Sequence, residues 1–201
     1  MIGQTVLPVR QQGVAVLWIG IAVAVVVVLL LVWAIGTYNR LVKQRNQVRA
    51  AGGQVDVQLR RRHELIPNLV ESVKGYVAHE RSTLEAVVAA RSQAVATEGA
   101  GRGAQAAAEN ALTQSLGRLF ALAEAYPDLK ANQNFLALQA ELAATEDKLA
   151  YARQFLNTAV QTFNTTIESF PSNLVAGAGG FKQAEFFEAV GDERGPVRVQ
   201  F

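Results

Sequence analysis

The sequence contains no cysteine, and this absence excludes a disulfide framework, a thiolate metal site and a cysteine nucleophile. Histidine is also scarce, and occurs only as His63 and His79. Neither histidine has a second histidine four residues later or a glutamate three residues earlier, so the zinc-protease helix motif and the di-iron bundle motif are both missing. We interpret both histidines as polar or helix-capping residues.

Motifs for nucleophilic catalysis and for phosphate binding are missing as well. The chain has no Gly-x-Ser-x-Gly elbow and no Gly-x-x-x-x-Gly-Lys loop. Glycines cluster at residues 99–103 and 177–180, but neither cluster follows a hydrophobic strand, so we interpret both as linkers.

Paired carboxylates have a simple explanation in this sequence. Glu141, Glu146 and Asp147 lie on an amphipathic helical pattern, where solvation or pairing with Arg62 or Arg153 accounts for them. The basic residues lack the aromatic interleaving and the reading motif of a nucleic-acid-binding protein. We therefore predict that the protein is not an enzyme and has no cofactor, no metal, no small-molecule substrate and no nucleic-acid partner.

Long hydrophobic runs are absent, with one exception. Every residue from Val14 to Ile35 is apolar except Gly20, and a helix of this length reaches about 33 Å, enough to cross a hydrocarbon core of about 30 Å. The run is longer than the apolar core of a cleaved signal peptide, and the absence of a second run excludes a multi-span transporter. We predict a short extracytoplasmic segment at 1–13 and a transmembrane helix at 14–35.

The residues beside this run predict its orientation. Trp18 and Trp33 lie near its two ends, where aromatic rings favour the membrane interface. Arg10 is the one cationic side chain before the run, whereas four cations follow it closely: Arg40, Lys43, Arg45 and Arg49. The positive-inside rule therefore predicts an external amino terminus and a cytoplasmic carboxy-terminal domain. The basic stretch either holds anionic lipid headgroups or is a solvated face with a topological role alone.

Beyond the run, the composition favours helices, since alanine, glutamine, leucine and charged residues dominate and hairpin signals are missing. Glycine and proline divide residues 37–170 into four predicted helices at about 37–77, 81–96, 104–125 and 132–169. Pro67 interrupts the first, but its apolar seam keeps its phase, so we predict one long kinked helix. The basic triplet Arg60, Arg61 and Arg62 flanks this seam and could pair with acidic residues of a facing helix.

The fourth helix has the clearest pattern in the chain. Large apolar residues recur in it every seven positions: Phe135, Leu142, Leu149, Leu156, Phe163 and Phe170. Alternate seam positions carry small residues that would permit close packing of a partner helix, among them Thr145, Ala152, Ala159 and Thr166. Short connections make consecutive helices antiparallel. We therefore predict an all-α fold, with one transmembrane helix followed by an up-down-up-down four-helix bundle.

The remaining residues, 171–201, form an apolar tail with no helical or strand period. Its large apolar members are candidates for self-association or lipid contact: Leu174, Val175, Phe181, Phe186 and Phe187. One interpretation is a lid on the membrane-proximal end of the two long helices. The other is a segment that enters the membrane interface or docks on a neighbouring subunit.

Long stretches of the chain resemble the LemA family of bacterial membrane proteins. The likeness begins at Tyr38-Asn-Arg-Leu-Val-Lys-Gln-Arg and is sharpest at Gln54-Val-Asp-Val-Gln-Leu-Arg-Arg-Arg-His-Glu-Leu-Ile-Pro-Asn-Leu-Val-Glu-Ser-Val-Lys-Gly-Tyr76. It continues through shorter strings, which include Tyr126-Pro-Asp-Leu-Lys-Ala-Asn132, Phe155-Leu-Asn157, Phe163-Asn164 and Phe170-Pro171. The resemblance implies a single span in the bacterial inner membrane and a cytoplasmic helical bundle, and it supplies no catalytic residues.

Three functional hypotheses follow. The first is a scaffold or self-assembling module whose partners are the bilayer and further copies or other membrane proteins, motivated by the small-residue seam and the apolar tail. The second is a lipid-binding, membrane-shaping protein. The third is an accessory subunit of a membrane protease or signalling complex, suggested by the lack of chemistry in the chain itself.

Overall fold

The computed structural model describes residues 9–77 and 80–187, with side chains from residue 16 onward. Within these ranges the fold is all-α, as predicted, and contains six helices: α1 Val9–Lys74, α2 Arg81–Ala96, α3 Arg102–Ala123, α4 Pro127–Lys130, α5 Gln133–Glu168 and α6 Ser172–Ala178. His79 and residues 188–201 of the predicted tail lie outside the described residues.

Helix α1 is longer than predicted because the apolar run and the first bundle helix are one continuous element. Its 66 residues span about 99 Å at 1.5 Å per residue. The apolar stretch is long enough to cross a membrane, and no other part of the described chain covers it. The apolar run therefore passes into the bundle without an intervening loop.

Pro67 does not divide α1, and α2 provides part of the reason. A proline lacks the N–H that would bind the carbonyl four residues earlier, which here belongs to His63. The Arg91 side chain of α2 supplies a replacement, because its Nε donates a hydrogen bond to the His63 carbonyl oxygen at 2.7 Å. One helix through Pro67 is thus the outcome, as the apolar seam predicts.

The longest interhelical contact runs between α1 and α5, which lie side by side and antiparallel. Five of the six heptad residues are buried: Phe135, Leu142, Leu149, Leu156 and Phe163. The sixth, Phe170, was assigned wrongly to the seam, because α5 ends at Glu168 and the Phe170 side chain is 81% exposed.

The small-residue seam of α5 is used within the chain. Thr145, Ala152, Ala159 and Thr166 are all buried, and Thr166 accepts a hydrogen bond from Gln44 Nε2 of α1 at 3.1 Å. The hypothesis that this seam packs against a neighbouring subunit therefore loses its basis, since α1 of the same chain already covers it.

Helices α2 and α3 pair with each other and close the end of the bundle far from the apolar run. Their connection contains Gly99 and Gly101 at positive φ, 82° and 102°, which other residues rarely adopt. Leu112, Leu116 and Leu119 of α3 are buried in the same cluster as Ile66 and Leu69 of α1.

A buried ionic network joins α1, α3 and α5 at mid-height. Glu109 is completely buried, and its two carboxylate oxygens lie 2.9 Å from Arg62 Nη1 and 2.7 Å from His63 Nε2. Arg62 also donates to Thr113 Oγ1 at 2.7 Å and lies 2.7 Å from a carboxylate oxygen of Glu146. The predicted pairing of the basic triplet with acidic residues of facing helices is confirmed. His63 makes a polar contact with Glu109, in agreement with its interpretation as a polar residue.

Two short helices differ from the sequence-based prediction. Pro127 begins the single turn of α4 where we predicted a break, because proline fits the first position of a helix. Residues 172–178, predicted to be irregular, form α6, which packs against both α1 and α5.

Candidate functional site: the groove for residues 181–187

Residues 181–187, called here the tail segment, follow α6 as an extended chain in the groove between α1 and α5. Two asparagines of α5 hold its main chain. Asn164 donates from Nδ2 to the Ala184 carbonyl at 2.9 Å and accepts from the Ala184 N–H at 2.8 Å. Asn157 binds Phe187 in the same manner, at 3.1 and 2.9 Å. Each amide side chain therefore satisfies both backbone groups of one tail residue, as a neighbouring strand would.

The spacing of the two asparagines explains the fit. Seven residues of helix rise about 10.5 Å, and three residues of extended chain span about 10 Å. Asn157 and Asn164 thus present two amides at the repeat of residues 184 and 187. The tail segment runs antiparallel to α5.

Phe181 anchors the membrane-proximal end of the tail segment. Its ring meets the rings of Tyr38 and Phe163 edge-on, at centroid distances of 5.5 and 6.4 Å. The Arg45 guanidinium lies over the same ring, 5.2 Å from its centroid. Gly179 makes room for this packing, since a Cβ there would lie 2.7 Å from the Phe181 ring. Aromatic and cation–π contacts therefore close the groove where the apolar run ends.

Phe187 anchors the other end and is 2% exposed. The Arg153 guanidinium covers its ring at 4.9 Å from the centroid. Burial lowers the pKa of Arg153, the positive charge of Arg62 lowers it further, and the carboxylates of Glu146 and Glu109 oppose both effects. The tail segment thus completes the environment of a partly buried cation that senses the charges of the mid-height ionic network.

Glu185 connects the tail segment to α3. Its Oε2 accepts a hydrogen bond from the backbone N–H of Arg102 at 3.2 Å, in the first turn of α3. The residue before Arg102 is Gly101, which has no side chain to cap the helix. A carboxylate is favourable at the positive end of a helix dipole, so the tail segment supplies a cap that the α2–α3 connection lacks.

A cavity of about 440 Å³ lies beside the groove, where α1, the α2–α3 connection and the tail segment meet. Its charged lining includes Arg49, Arg60, Glu98 and Glu185. No group of three histidine, aspartate or glutamate side chains in the described part of the chain is arranged to hold a metal ion. The distinctive chemistry of the site is therefore the binding of an extended main chain.

The predicted interface and tail residues have different environments. Trp18 and Trp33 are exposed on the apolar run, and the predicted interface cations Arg40, Lys43 and Arg49 are exposed without an ion pair to any described residue. Arg45, another predicted interface cation, is half-buried, and its guanidinium lies over the Phe181 ring. Among the tail candidates, Phe181 and Phe187 face the interior, Val175 is half-buried, and Leu174 and Phe186 are exposed.

Sequence reasoning missed Asn157 and Asn164, although a signal was present. Each asparagine directly follows a heptad core residue, Leu156 or Phe163, so the two share one helix face seven residues apart. A polar amide repeated at the border of a buried seam indicates a partner with both a donor and an acceptor, which is what a peptide backbone offers.

Comparisons with known proteins identify the family of the chain. The sequence model of the LemA family matches residues 51–201. Magnetosome protein MamQ 2 of Paramagnetospirillum magneticum is 28% identical over 178 residues, covering 75% of this chain and 64% of the relative. Protein LemA of Metamycoplasma hominis is 25% identical over 142 residues, covering 71% of this chain and 64% of the relative. The chain thus spans less than two thirds of the length of either relative. Because the family match extends over most of the sequence, the chain belongs to the LemA family.

Proposed function

We propose that the protein is a non-enzymatic, single-pass membrane protein that presents its helical bundle as a scaffold at the cytoplasmic face of a bacterial inner membrane. The observation that supports this most directly is the continuity of α1, which carries both the apolar run and the first bundle helix. A bundle joined to its anchor by helix keeps a defined distance and direction from the bilayer. The cations that follow the apolar run support the cytoplasmic orientation.

The outer face of the bundle offers side chains for contact with a second copy or another membrane protein. Tyr151 and Phe155 lie one turn apart on α5 and are 75% and 46% exposed. They line a shallow groove together with Gln54 and Gln58 of α1. Exposed aromatic side chains beside polar ones are typical of protein contact surfaces.

Cross-linking and co-purification of the full chain from native membranes test the scaffold proposal. We expect cross-linked species that contain further copies or other membrane proteins, and a several-fold lower yield for the double variant Tyr151→Ser and Phe155→Ser. The matched control is Leu136→Ser, because Leu136 is 48% exposed on α5 but lies in the first turn of the helix, about 22 Å from Tyr151. A monomer at every protein density, with no co-purifying protein, would contradict the proposal. Recovery of a membrane protease or signalling complex would favour an accessory-subunit role instead.

A second candidate function is direct contact of the bundle with the lipid surface. Two large apolar side chains are exposed where α5 meets α6, since Phe170 in the turn is 81% exposed and Leu174 in α6 is 63% exposed. This turn lies beside the start of the bundle, where Phe181 contacts Tyr38.

Tyr38 follows Ile35 by three residues, or about 5 Å along the helix, which corresponds to the headgroup layer of a bilayer. Exposed Arg40 and Lys43 lie at a similar level and would favour anionic headgroups.

Spin labels on single introduced cysteines test this contact, because the chain has no cysteine of its own. In phosphatidylglycerol bilayers, labels placed by Phe170→Cys and Leu174→Cys are expected to collide more often with oxygen than with a water-soluble nickel chelate. A label placed by Leu136→Cys, in the first turn of α5 and at the end of the bundle far from the apolar run, is the aqueous control. If the labels at 170 and 174 behave like the label at 136, the bundle does not contact lipid there.

A further inference from the structure

The groove between α1 and α5 recognises an extended peptide in a way that depends little on side chains at most positions. Asn157 and Asn164 bind only backbone atoms of residues 187 and 184. Side-chain selectivity comes from the aromatic sites for Phe181 and Phe187. Main-chain hydrogen bonds combined with pockets for spaced side chains are the mode by which proteins bind extended peptides. The groove therefore has the features of a peptide-binding site that is occupied by the protein's own chain.

The connection between the tail segment and α5 allows the tail segment to leave the groove. Helix α6 has one fully buried residue, Ala176, and the connection to the tail segment contains Gly179 and Gly180, the latter at φ 66°. From the end of α5 at Glu168 to Phe181 there are 13 residues in sequence, which can extend about 40 Å when α6 unfolds. A bundle two helices across is about 20 Å wide, so an undocked tail segment can reach the groove of an adjacent bundle.

We propose that this groove also accepts the tail segment of a second copy of the chain, so that neighbouring copies exchange their tails reciprocally. The proposal rests on the scaffold function, because it requires several copies side by side in one membrane. Parallel anchors place all grooves at the same height above the bilayer. The exchanged and unexchanged forms make the same contacts in the groove. The equilibrium between them therefore depends on the effective concentration of the chain's own tail segment at its groove, compared with the local density of other copies.

Cross-linking between two marked full-length chains tests the exchange. Gln183 Nε2 of the tail segment donates to Glu168 Oε1 of α5 on the exposed rim of the groove, outside the asparagine and aromatic contacts. One chain carries Glu168→Cys, the other carries Gln183→Cys, and the two bear different affinity tags. Both are reconstituted together in one bilayer and treated with a short bismaleimide. We expect cross-links between unlike chains to exceed those between like chains several-fold.

Variants of the tail segment distinguish exchange from chance proximity. Adding Phe181→Ala and Phe187→Ala to the chain that carries Gln183→Cys should lower the yield between unlike chains at least about tenfold, because both anchors are lost. Adding Phe186→Ala should leave the yield unchanged, because that side chain is partly exposed. Equal yields for like and unlike chains, or a yield insensitive to the two anchors, would overturn the exchange. Association in native membranes would still be measurable in that event, so the scaffold proposal is judged separately.

Discussion

Replacing Phe187 with alanine is expected to release the tail segment from its groove while the bundle stays folded. The ring is 2% exposed and lies under the Arg153 guanidinium, so its removal leaves a cavity and uncovers a partly buried cation. Truncating a buried phenylalanine costs about 3–5 kcal/mol. Here this cost lowers the free energy of docking of the tail segment and leaves the folding of the bundle unchanged. The amide hydrogens of residues 184 and 187 should therefore exchange with solvent about 100-fold faster or more, as measured by mass spectrometry of the full chain.

The neighbouring residue provides the matched control. Phe186 is 38% exposed, so Phe186→Ala removes an aromatic ring from the same segment without opening the groove. We expect its effect on the exchange of residues 184 and 187 to be at least tenfold smaller. Similar effects of the two substitutions would contradict the proposed anchoring role of Phe187. Faster exchange throughout α1 and α5 would show instead that the tail segment is needed for the bundle as a whole.

Replacing Glu109 with leucine is expected to have the largest effect on the stability of the bundle. Glu109 is completely buried, and its loss leaves Arg62, itself 1% exposed, without its fully buried counter-charge. Removing one partner of a buried ion pair costs about 3–5 kcal/mol, and here the buried Arg62 keeps only the partly exposed carboxylate of Glu146 as a counter-charge. The free energy of unfolding, measured by circular dichroism in detergent, should fall by that amount.

Two further variants separate charge pairing from packing. The exposed pair Arg61–Glu141 has a similar N–O distance, 2.8 Å against 2.9 Å for Arg62–Glu109. Its side chains are 48% and 44% exposed, so Glu141→Leu should cost less than about 1 kcal/mol. The double variant Arg62→Met and Glu109→Leu should recover part of the stability lost in the single variant, because it removes both charges. Equal losses for Glu109→Leu and Glu141→Leu would contradict the importance of burial.

The sequence predicted the helices well where one period dominates. The heptads of α5 identified its buried face, and the phase of the seam across Pro67 predicted one helix correctly. The sequence did not reveal that Arg91 would satisfy the His63 carbonyl, because that contact depends on where α2 packs. The assignment of Phe170 to the seam failed because periodicity alone does not show where a helix ends.

The site was harder to predict than the fold. Apolar content identified the tail, but an extended segment held by side-chain amides has no period of its own, so composition could not show which phenylalanines face inward. The contact of Arg45 with the ring of Phe181, 136 positions later, could not be predicted from its place after the apolar run. Such contacts between distant parts of the chain leave little trace in local patterns.

The uninterrupted helix also fixes the azimuth of the bundle. Each residue of an α-helix turns the chain by about 100° and advances it by 1.5 Å. Gly36 and Thr37, between the apolar run and Tyr38, therefore determine which side of the bundle lies above each face of the apolar run. One residue inserted between Gly36 and Thr37 would rotate the bundle relative to the apolar run by more than a quarter turn, while Tyr38 and the rest of the interior packing would remain the same.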